Sequence, residues 1–449
     1  MKSLAFIVMS AAIAAAAAAQ PPAEEGTFAY DRFLSRMGAS GENFARVWMS
    51  PWNLGIEWTK AYDRHYEGLG RYNLYNAWRL DHVVEEAADN GVYLMLLFTG
   101  HGELGEVEQD FFGHDATQAQ GSPYWDRYGG PLKTPLDLYG SPEGIKFYKR
   151  KVRYIAARWG YATSVMAWEI LNEADLGFRR SRDPKGIAQR VAEFLRQVIA
   201  HLRENDPSRH LVTSSLLYTR DDPGGRVPPY ARYVLSLPEL DFIASHTFSN
   251  ELAAQLATDR RYMQEQFGKV MFVTEAGLTA FAQDPALTQR TMHATLWSSH
   301  MLPLPGTACP WWWVLIDRKD LYPEFAAVAA FARGEDRRGA GFRQAAAVVQ
   351  DAGGKRQLQA WCLRNDTRAF CWVYSPTAFT QEAEWTAQAS AGATVTITRM
   401  ADGRYAVQVW DTTQGTVTAT LDAACQDGQL AFTLPPFQRD VACKVIRQP

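Results

Sequence analysis

The sequence predicts an α/β protein in two parts, a (β/α)8 TIM barrel followed by a C-terminal antiparallel β-sandwich, and three observations predict it. Between residues 28 and 334, short apolar runs alternate with stretches of helical period, the pattern of parallel strands with helices packed outside them. Two of those runs, 165–171 and 270–274, are too continuously apolar for a one-sided sheet, and a glutamate closes each, Glu173 and Glu275. After Gly334 the helical period stops, and short alternating runs separated by Asn365-Asp366, Asp402-Gly403 and Asp427-Gly428 take over.

Length and charge agree with this division. At 449 residues the chain holds a barrel of about 250 residues and an appended domain. A net charge of −3 gives no basic excess for nucleic acid, which leaves a small molecule or neutral polymer as the expected partner. Fifteen tryptophans matter because aromatic faces stack on the apolar faces of sugar rings, although a barrel core also uses them.

Residues 1–19 carry Lys2, an apolar run over 4–13 and Ala17-Ala18-Ala19 before Gln20, which reads as a secretory signal peptide too short for a membrane span. The expected location is secreted or periplasmic, where cysteine pairing is permitted. No membrane association is expected.

The barrel is assigned to 20–334 and its elements follow in order. Tyr30, Phe33, Leu34 and Met37 share a helical face, and 43–48 is the next strand. Helix 76–90, strand 93–98, helix 142–159, strand 165–171 and helix 187–205 come next. Strand 211–215, a short helix near 230–237, strand 242–245, helix 251–267 and strand 270–274 continue the rhythm. Helix 287–299, strand 308–314 and helix 322–333 close it. This gives eight helices but seven strands, because Pro21-Pro22 and Gly26 exclude a buried strand in 20–27. The first barrel strand is therefore missing or irregular. Residues 335–341 form a polar linker, and 342–449 the sandwich, with strands at 358–363, 369–374, 393–398, 405–410, 416–421, 430–434 and 441–446.

Two long connections leave the C-terminal ends of strands, the face where barrel enzymes place their sites. Residues 49–75 carry Trp52, Trp58, Tyr62, Tyr66, Tyr72 and Tyr75, and residues 100–141 carry Phe111, Phe112, Tyr124, Trp125 and Tyr128. Both are expected to wall a substrate cleft.

Two strand-end carboxylates roughly 100 residues apart fit a barrel with one βα unit per ~30–40 residues, and a pair of carboxyl groups is what glycoside hydrolysis demands. At Trp168-Glu169-Ile170-Leu171-Asn172-Glu173 and Val273-Thr274-Glu275-Ala276-Gly277, the sequence resembles the clan of retaining β-glycosidases that includes the family 5 cellulases and mannanases. The resemblance implies that Glu173 is the acid/base and Glu275 the nucleophile. It also implies that Arg46 keeps the nucleophile ionised beside Trp48, and that Asn172 binds the sugar 2-hydroxyl. His101 and His246 match substrate-binding histidines, and Trp311 or Trp313 the tryptophan under the cleaved sugar. Strand alternation puts Trp311 and Trp313 on one face. Glu169 lies inside its strand and is expected to pair with a barrel-interior cation. Phe248 departs from the clan pattern, which has a tyrosine there; Tyr218 and Tyr230 are possible substitutes. Aromatic surroundings are expected to raise the Glu173 pKa and keep its proton.

No zinc spacing, phosphate-cradling glycine loop or serine elbow is present, so no cofactor or metal is expected. Among three possible pairings, Cys362 with Cys371 and Cys425 with Cys443 are the expected disulfides, with Cys309 a free buried thiol. The function so implied is a secreted retaining β-glycoside hydrolase acting on a polysaccharide or oligosaccharide. The alternative is a non-catalytic carbohydrate-binding protein on a degenerate barrel.

Overall fold

The structure, a computed structural model, describes residues 28–50, 54–57, 69–103, 122–179, 181–217, 228–249, 251–278, 285–380 and 390–449. The expected signal peptide at 1–19, the segment 20–27 and the loop aromatics Trp52, Trp58, Tyr62, Tyr66, Phe111, Phe112 and Tyr218 lie outside them. Two compact units emerge. One draws on residues within Met1–Ala39, Asn43–His246 and Arg261–Thr274, the other on Ser40–Glu42, Thr247–Arg260 and Glu275–Pro449. The change from α/β alternation to antiparallel strands, in contrast, falls after residue 334.

In the first unit, α1 (Phe28–Ala39) leads into β1 (Phe44–Trp48), then α2 (Leu74–Asp89) and β2 (Tyr93–Leu97). α3 (Pro142–Trp159), β3 (Val165–Glu169), α4 (Pro184–Asn205), β4 (Leu211–Thr213) and α5 (Ala231–Leu235) follow. The helix starts are written locally. Asn73, Ser141 and Asp183 each accept a backbone N–H three residues on, and Pro142 and Pro184 occupy first-turn positions where a missing N–H costs nothing. α4 buries Ile187, Val191, Phe194, Leu195, Val198 and Leu202 along one stripe. At about 1.5–3 kcal/mol per large apolar side chain, this burial and not propensity holds it in place.

β1, β2, β3 and β4 form a parallel sheet in sequence order. A parallel bridge from Leu216 to Ser245 carries the run on to β5 (Ile243–Phe248). β5 in turn pairs with β6 (Met271–Gly277), which follows α6 (Leu252–Phe267). Bonds from Ile243 N–H to the Val270 carbonyl and from Ser249 N–H to the Gly277 carbonyl advance together, so this pair is parallel too. Within the first unit the Phe44 ring, at the start of β1, lies 4.7 Å from that of Phe272 in β6, so the run of strands curls instead of lying flat. Among the described residues no helix is long and apolar enough to cross a membrane.

The second unit opens where Ala276 pairs in parallel with Pro310, and continues through α7 (Pro285–His300), α8 (Trp313–Arg318) and α9 (Tyr322–Ala332). Here an expectation fails. Instead of a strand over 308–314 there is a short bridge, and at Trp312 (ψ 54°) the backbone leaves the extended region and Trp313 begins α8. Trp311 and Trp313 therefore do not share a strand face.

Beyond 342 the strands are β7 (Arg343–Ala345), β8 (Ala347–Asp351), β9 (Gln359–Arg364), β10 (Arg368–Tyr374) and β11 (Ala393–Thr398). The rest are β12 (Gly403–Asp411), β13 (Thr416–Gln426), β14 (Gln429–Leu434) and β15 (Asp440–Arg447). They form one nine-stranded sheet in the order β7-β9-β10-β15-β12-β13-β14-β11-β8. Its two edges, β7 and β8, are consecutive in the chain with only Ala346 between them, so the sheet must roll until its edges approach. Alternation sorts its faces. Cys371, Val373, Val407 and Val409 point into one core, while Phe370 and Trp372 point out and pack with Trp297, Phe325 and Phe331 of α7 and α9.

The cysteines follow this register. Cys362 and Cys371 stand directly opposite on β9 and β10 with their Sγ atoms 3.0 Å apart as thiols, and Cys443 on β15 is opposite Cys371 on the other side. The expected Cys425–Cys443 pair is incorrect. On β12, Cys425 faces Gly403 while Cys443 faces Val409, a gap of six residues or roughly 20 Å, beyond the Cα limit of about 7 Å for a disulfide. Cys309 is half-buried, not buried. Peptide mapping of oxidised protein should find Cys362 linked to Cys371 and Cys425 alkylated by itself; a Cys425–Cys443 peptide would contradict the register.

Candidate active site

The site grows from the ends of parallel strands in the first unit. β1 supplies Arg46, whose side chain is 6 % exposed and forks onto Glu169 of β3, with Nε 2.6 Å from Oε2 and one terminal nitrogen 2.9 Å from Oε1. Glu169 is fully buried, and Arg46 is the interior cation its position called for. The same guanidinium donates to Asn172 Oδ1 at 2.6 Å and lies over the Trp48 ring at 5.1 Å. A planar fork fits this double task better than a lysine would.

Past Glu169 the chain stays anchored. Ile170 and Asn172 donate their N–H groups to the Thr213 and Thr99 carbonyls, which extends the sheet on both sides. Asn172 Oδ1 also accepts from Ser215 Oγ at 3.2 Å, and its Nδ2 lies 3.1 Å from His101 Nδ1. At Glu173 the backbone turns left-handed, with φ of 46° and ψ of 45°, and its N–H donates to Ser215 Oγ. A non-glycine residue held in this region is uncommon and costs of order 1–3 kcal/mol, a cost found concentrated at functional sites. Here it bends the chain into the 3-10 turn Ala174–Gly177 and leaves the carboxyl among side chains from other strands.

That carboxyl is buried and flanked by two histidines. His246 Nδ1, on β5, lies 2.5 Å from Oε1, and His101 Nδ1, just past β2, lies 3.5 Å from Oε2. Burial pushes the Glu173 carboxyl up, but His246, His101 and the Arg46 guanidinium together pull harder, and it is held below the usual carboxylate range. The expected upward shift from aromatic surroundings is thus overturned, since the near neighbours are cationic or hydrogen-bonding groups. A 2.5 Å carboxylate–imidazole contact makes one proton the property of the pair.

Glu275 is buried near the end of β6, where Ala276 donates its N–H to the Cys309 carbonyl and accepts from Trp311 N–H. Trp313 is 40 % exposed at the start of α8. Phe248 ends β5; of its suggested substitutes, Tyr230 donates to Asp175 Oδ2 at 3.5 Å and Tyr218 lies outside the described residues. Sequence reasoning missed Asp175. It is fully buried and accepts the Leu217 N–H at 2.9 Å, so it ties the turn after Glu173 to the segment after β4. Its place two residues after Glu173 was the available signal.

No protein-family model matches the chain. A curated protein of Neosartorya fischeri, described as "Probable mannan endo-1,4-beta-mannosidase F", is 22% identical over 251 residues, 52% of this chain and 48% of that protein. The chain thus spans about half the length of that relative. A glycoside hydrolase family 5 crystal structure from Bacteroides vulgatus aligns over 94% of this chain and 86% of its own with a TM-score of 0.56 at 11% identity. A GH30 endoxylanase from Clostridium papyrosolvens aligns over 93% of both chains with a TM-score of 0.50 at 13% identity. The chain shares the fold of these glycoside hydrolases and resembles the (β/α)8-barrel clan that includes family 5.

Proposed function

We propose that the protein is a secreted retaining β-glycoside hydrolase that cleaves a polysaccharide or oligosaccharide by double displacement on a (β/α)8 barrel. Glu173 serves as acid/base and Glu275 as nucleophile, and the substrate-binding residues are Arg46, Trp48, His101, Asn172, His246, Trp311 and Trp313. The observation that carries the reading is the Glu173 carboxyl, buried at a strand end in a left-handed backbone conformation and flanked by His246 and by His101, which in turn meets Asn172. A structural glutamate does not require this arrangement.

In this reading the proton for the leaving group comes from the Glu173–His246 pair. The resting carboxylate is ionised, and a short hydrogen bond to His246 lets the proton cross to Glu173 as negative charge grows on the departing oxygen. Once the glycosyl-enzyme ester on Glu275 has formed, Glu173 accepts a proton from water and returns it to the pair. Arg46, committed to Glu169 and Asn172, fixes the asparagine that reaches the sugar 2-hydroxyl.

Activity against a panel of aryl β-glycosides and plant or microbial glycans tests the proposal, and binding without turnover across the panel would defeat it. A sharper check follows from the cause of the Glu173 shift. In this reading the alkaline limb of kcat/KM marks loss of the single proton that the pair shares; without His246 only the Glu173 carboxyl can hold it, with His101 and Arg46 still favouring the ionised form, so the limb should move to lower pH in His246→Ala. An unmoved or raised limb would mean that His246 does not share the proton of Glu173.

A further inference from the structure

Behind the turn that carries His101 lies a buried charged cluster that hydrolysis as described above leaves unused. Glu57, Glu103 and Lys151 are 5, 8 and 6 % exposed. Together with Met49, Phe98 and Tyr124 they line a cavity of about 20 Å³, room for a single water. Enclosing three ionisable groups is expensive, and well-packed apolar side chains of similar volume are often as stable or more so. Burial alone does not explain their presence, but the hydrogen bonds of Glu103 and Lys151 are directed at one place.

Glu103 Oε1 accepts the Gly100 N–H at 2.8 Å, which locks the 3-10 turn His101–Glu103 onto the residue that precedes it. A side chain at Gly100 would meet the Trp48 ring at 3.4 Å and Glu103 Oε1 at 3.6 Å, so the turn is seated between them. Lys151 Nζ donates to Thr99 Oγ1 at 3.1 Å and to the Phe98 carbonyl at 3.4 Å, the last two residues before Gly100. Lys151 also lies 3.9 Å from Glu57 Oε2, which accepts from the Tyr124 hydroxyl at 3.2 Å. The Thr99 carbonyl accepts the Asn172 N–H at 2.9 Å. Both ends of the Thr99–Glu103 segment are thus held from below, and what they support is His101, whose Nδ1 lies 3.1 Å from Asn172 Nδ2 and 3.5 Å from Glu173 Oε2.

We propose that Glu103 is a positioning residue that, with Lys151, sets the placement of His101 and through it the orientation of Asn172 and Glu173. This rests on the reading of Glu173 as the acid/base. Glu103 touches no substrate. Its work is done by a carboxyl oxygen accepting one backbone N–H, a task an amide oxygen can also perform.

The variants Glu103→Gln and Glu103→Ala separate this from a general structural role. In Glu103→Ala, hydrogen exchange at the Gly100 amide should rise while peptides from α4 and β3 keep their protection, and kcat should fall by ~10²-fold, as expected for misplaced catalytic groups, with KM little changed. Glu103→Gln should restore both. Should Glu103→Ala not fold, Glu103→Leu, close in volume and without an acceptor, carries the same expectation. Unchanged Gly100 exchange in the alanine or leucine variant, or equal losses in the glutamine and alanine variants, would overturn the proposal. A wild-type protein that hydrolyses no glycoside would instead overturn the hydrolase reading, and the exchange comparison would still decide whether Glu103 holds the turn.

Discussion

Replacing Glu275 with alanine is expected to reduce hydrolysis of every accepted glycoside to background, because double displacement has no first step without a carboxylate to form the ester. Glu173→Ala should behave differently. For substrates with poor leaving groups it should lose the ~10²–10⁴-fold that a positioned acid/base supplies. Aryl glycosides with good leaving groups need no proton to depart, so their first step should persist and the glycosyl-enzyme should accumulate for want of a base. An added small anion such as azide, which attacks without deprotonation, should then speed turnover of Glu173→Ala and give the β-glycosyl azide, whereas any turnover that azide restores to Glu275→Ala should give the α-azide by a single displacement. A proton NMR time course with wild-type protein should show the β-anomer formed first. The α-anomer appearing first, or full activity in Glu275→Ala, would refute the assignment.

The parts legible in the sequence are those that depend on near neighbours in the chain. Period alone places α3 at its observed limits and α4 at its observed end, with a start at 187 and not at 184 because the signal of Asp183-Pro184 was not read. The strand-end Asn172-Glu173 is likewise visible as an apolar run that stops at two polar residues. The proton affinity of Glu173 was not legible, because its partner His246 stands 73 positions away on another strand and the sequence does not say which side chains meet. Instead the local abundance of tryptophan suggested an apolar pocket. Pro310-Trp311-Trp312-Trp313 misled for a related reason: aromatic residues fit a strand, but hydrogen-bond pairing with β6 ends at Trp311 and the next residues turn into α8. β7 and β8 escaped notice because Arg343-Gln344-Ala345 is short and polar, as an edge strand can be, and its reason for being extended is pairing with β9.

The least legible feature carries the largest predicted effect on stability. His293 on α7 is fully buried, with Nδ1 2.6 Å from Glu324 of α9 and Nε2 2.8 Å from Asp440 of β15, which also accepts the Trp372 indole N–H at 2.7 Å. Nothing in a helix reading Thr291-Met292-His293-Ala294 announces a charge bridge to a residue 147 positions later. Burial pushes the imidazole down, but the two carboxylates outweigh it and hold the pKa up at about 10, so His293 is a cation between two anions. Glu324 and Asp440 resist burial in the same way and are held below their ordinary values by His293. His293→Leu would leave two buried carboxylates without their cation, and we expect a loss of about 3–5 kcal/mol in unfolding free energy, the range for breaking a buried pair from one side. The pH dependence has a definite sign. A histidine raised on folding contributes stability that is complete below its unfolded value near 6.5 and is lost as pH rises through about 10. The two lowered carboxylates contribute above their unfolded values of 4.5 and 3.8, and that share is lost as pH falls through their depressed folded values. Wild-type stability measured by denaturant unfolding should therefore drop on the alkaline side between about 6.5 and 10 more steeply than that of His293→Leu. Parallel curves for the two proteins across that interval would show that His293 is not the buried cation joining α7, α9 and β15.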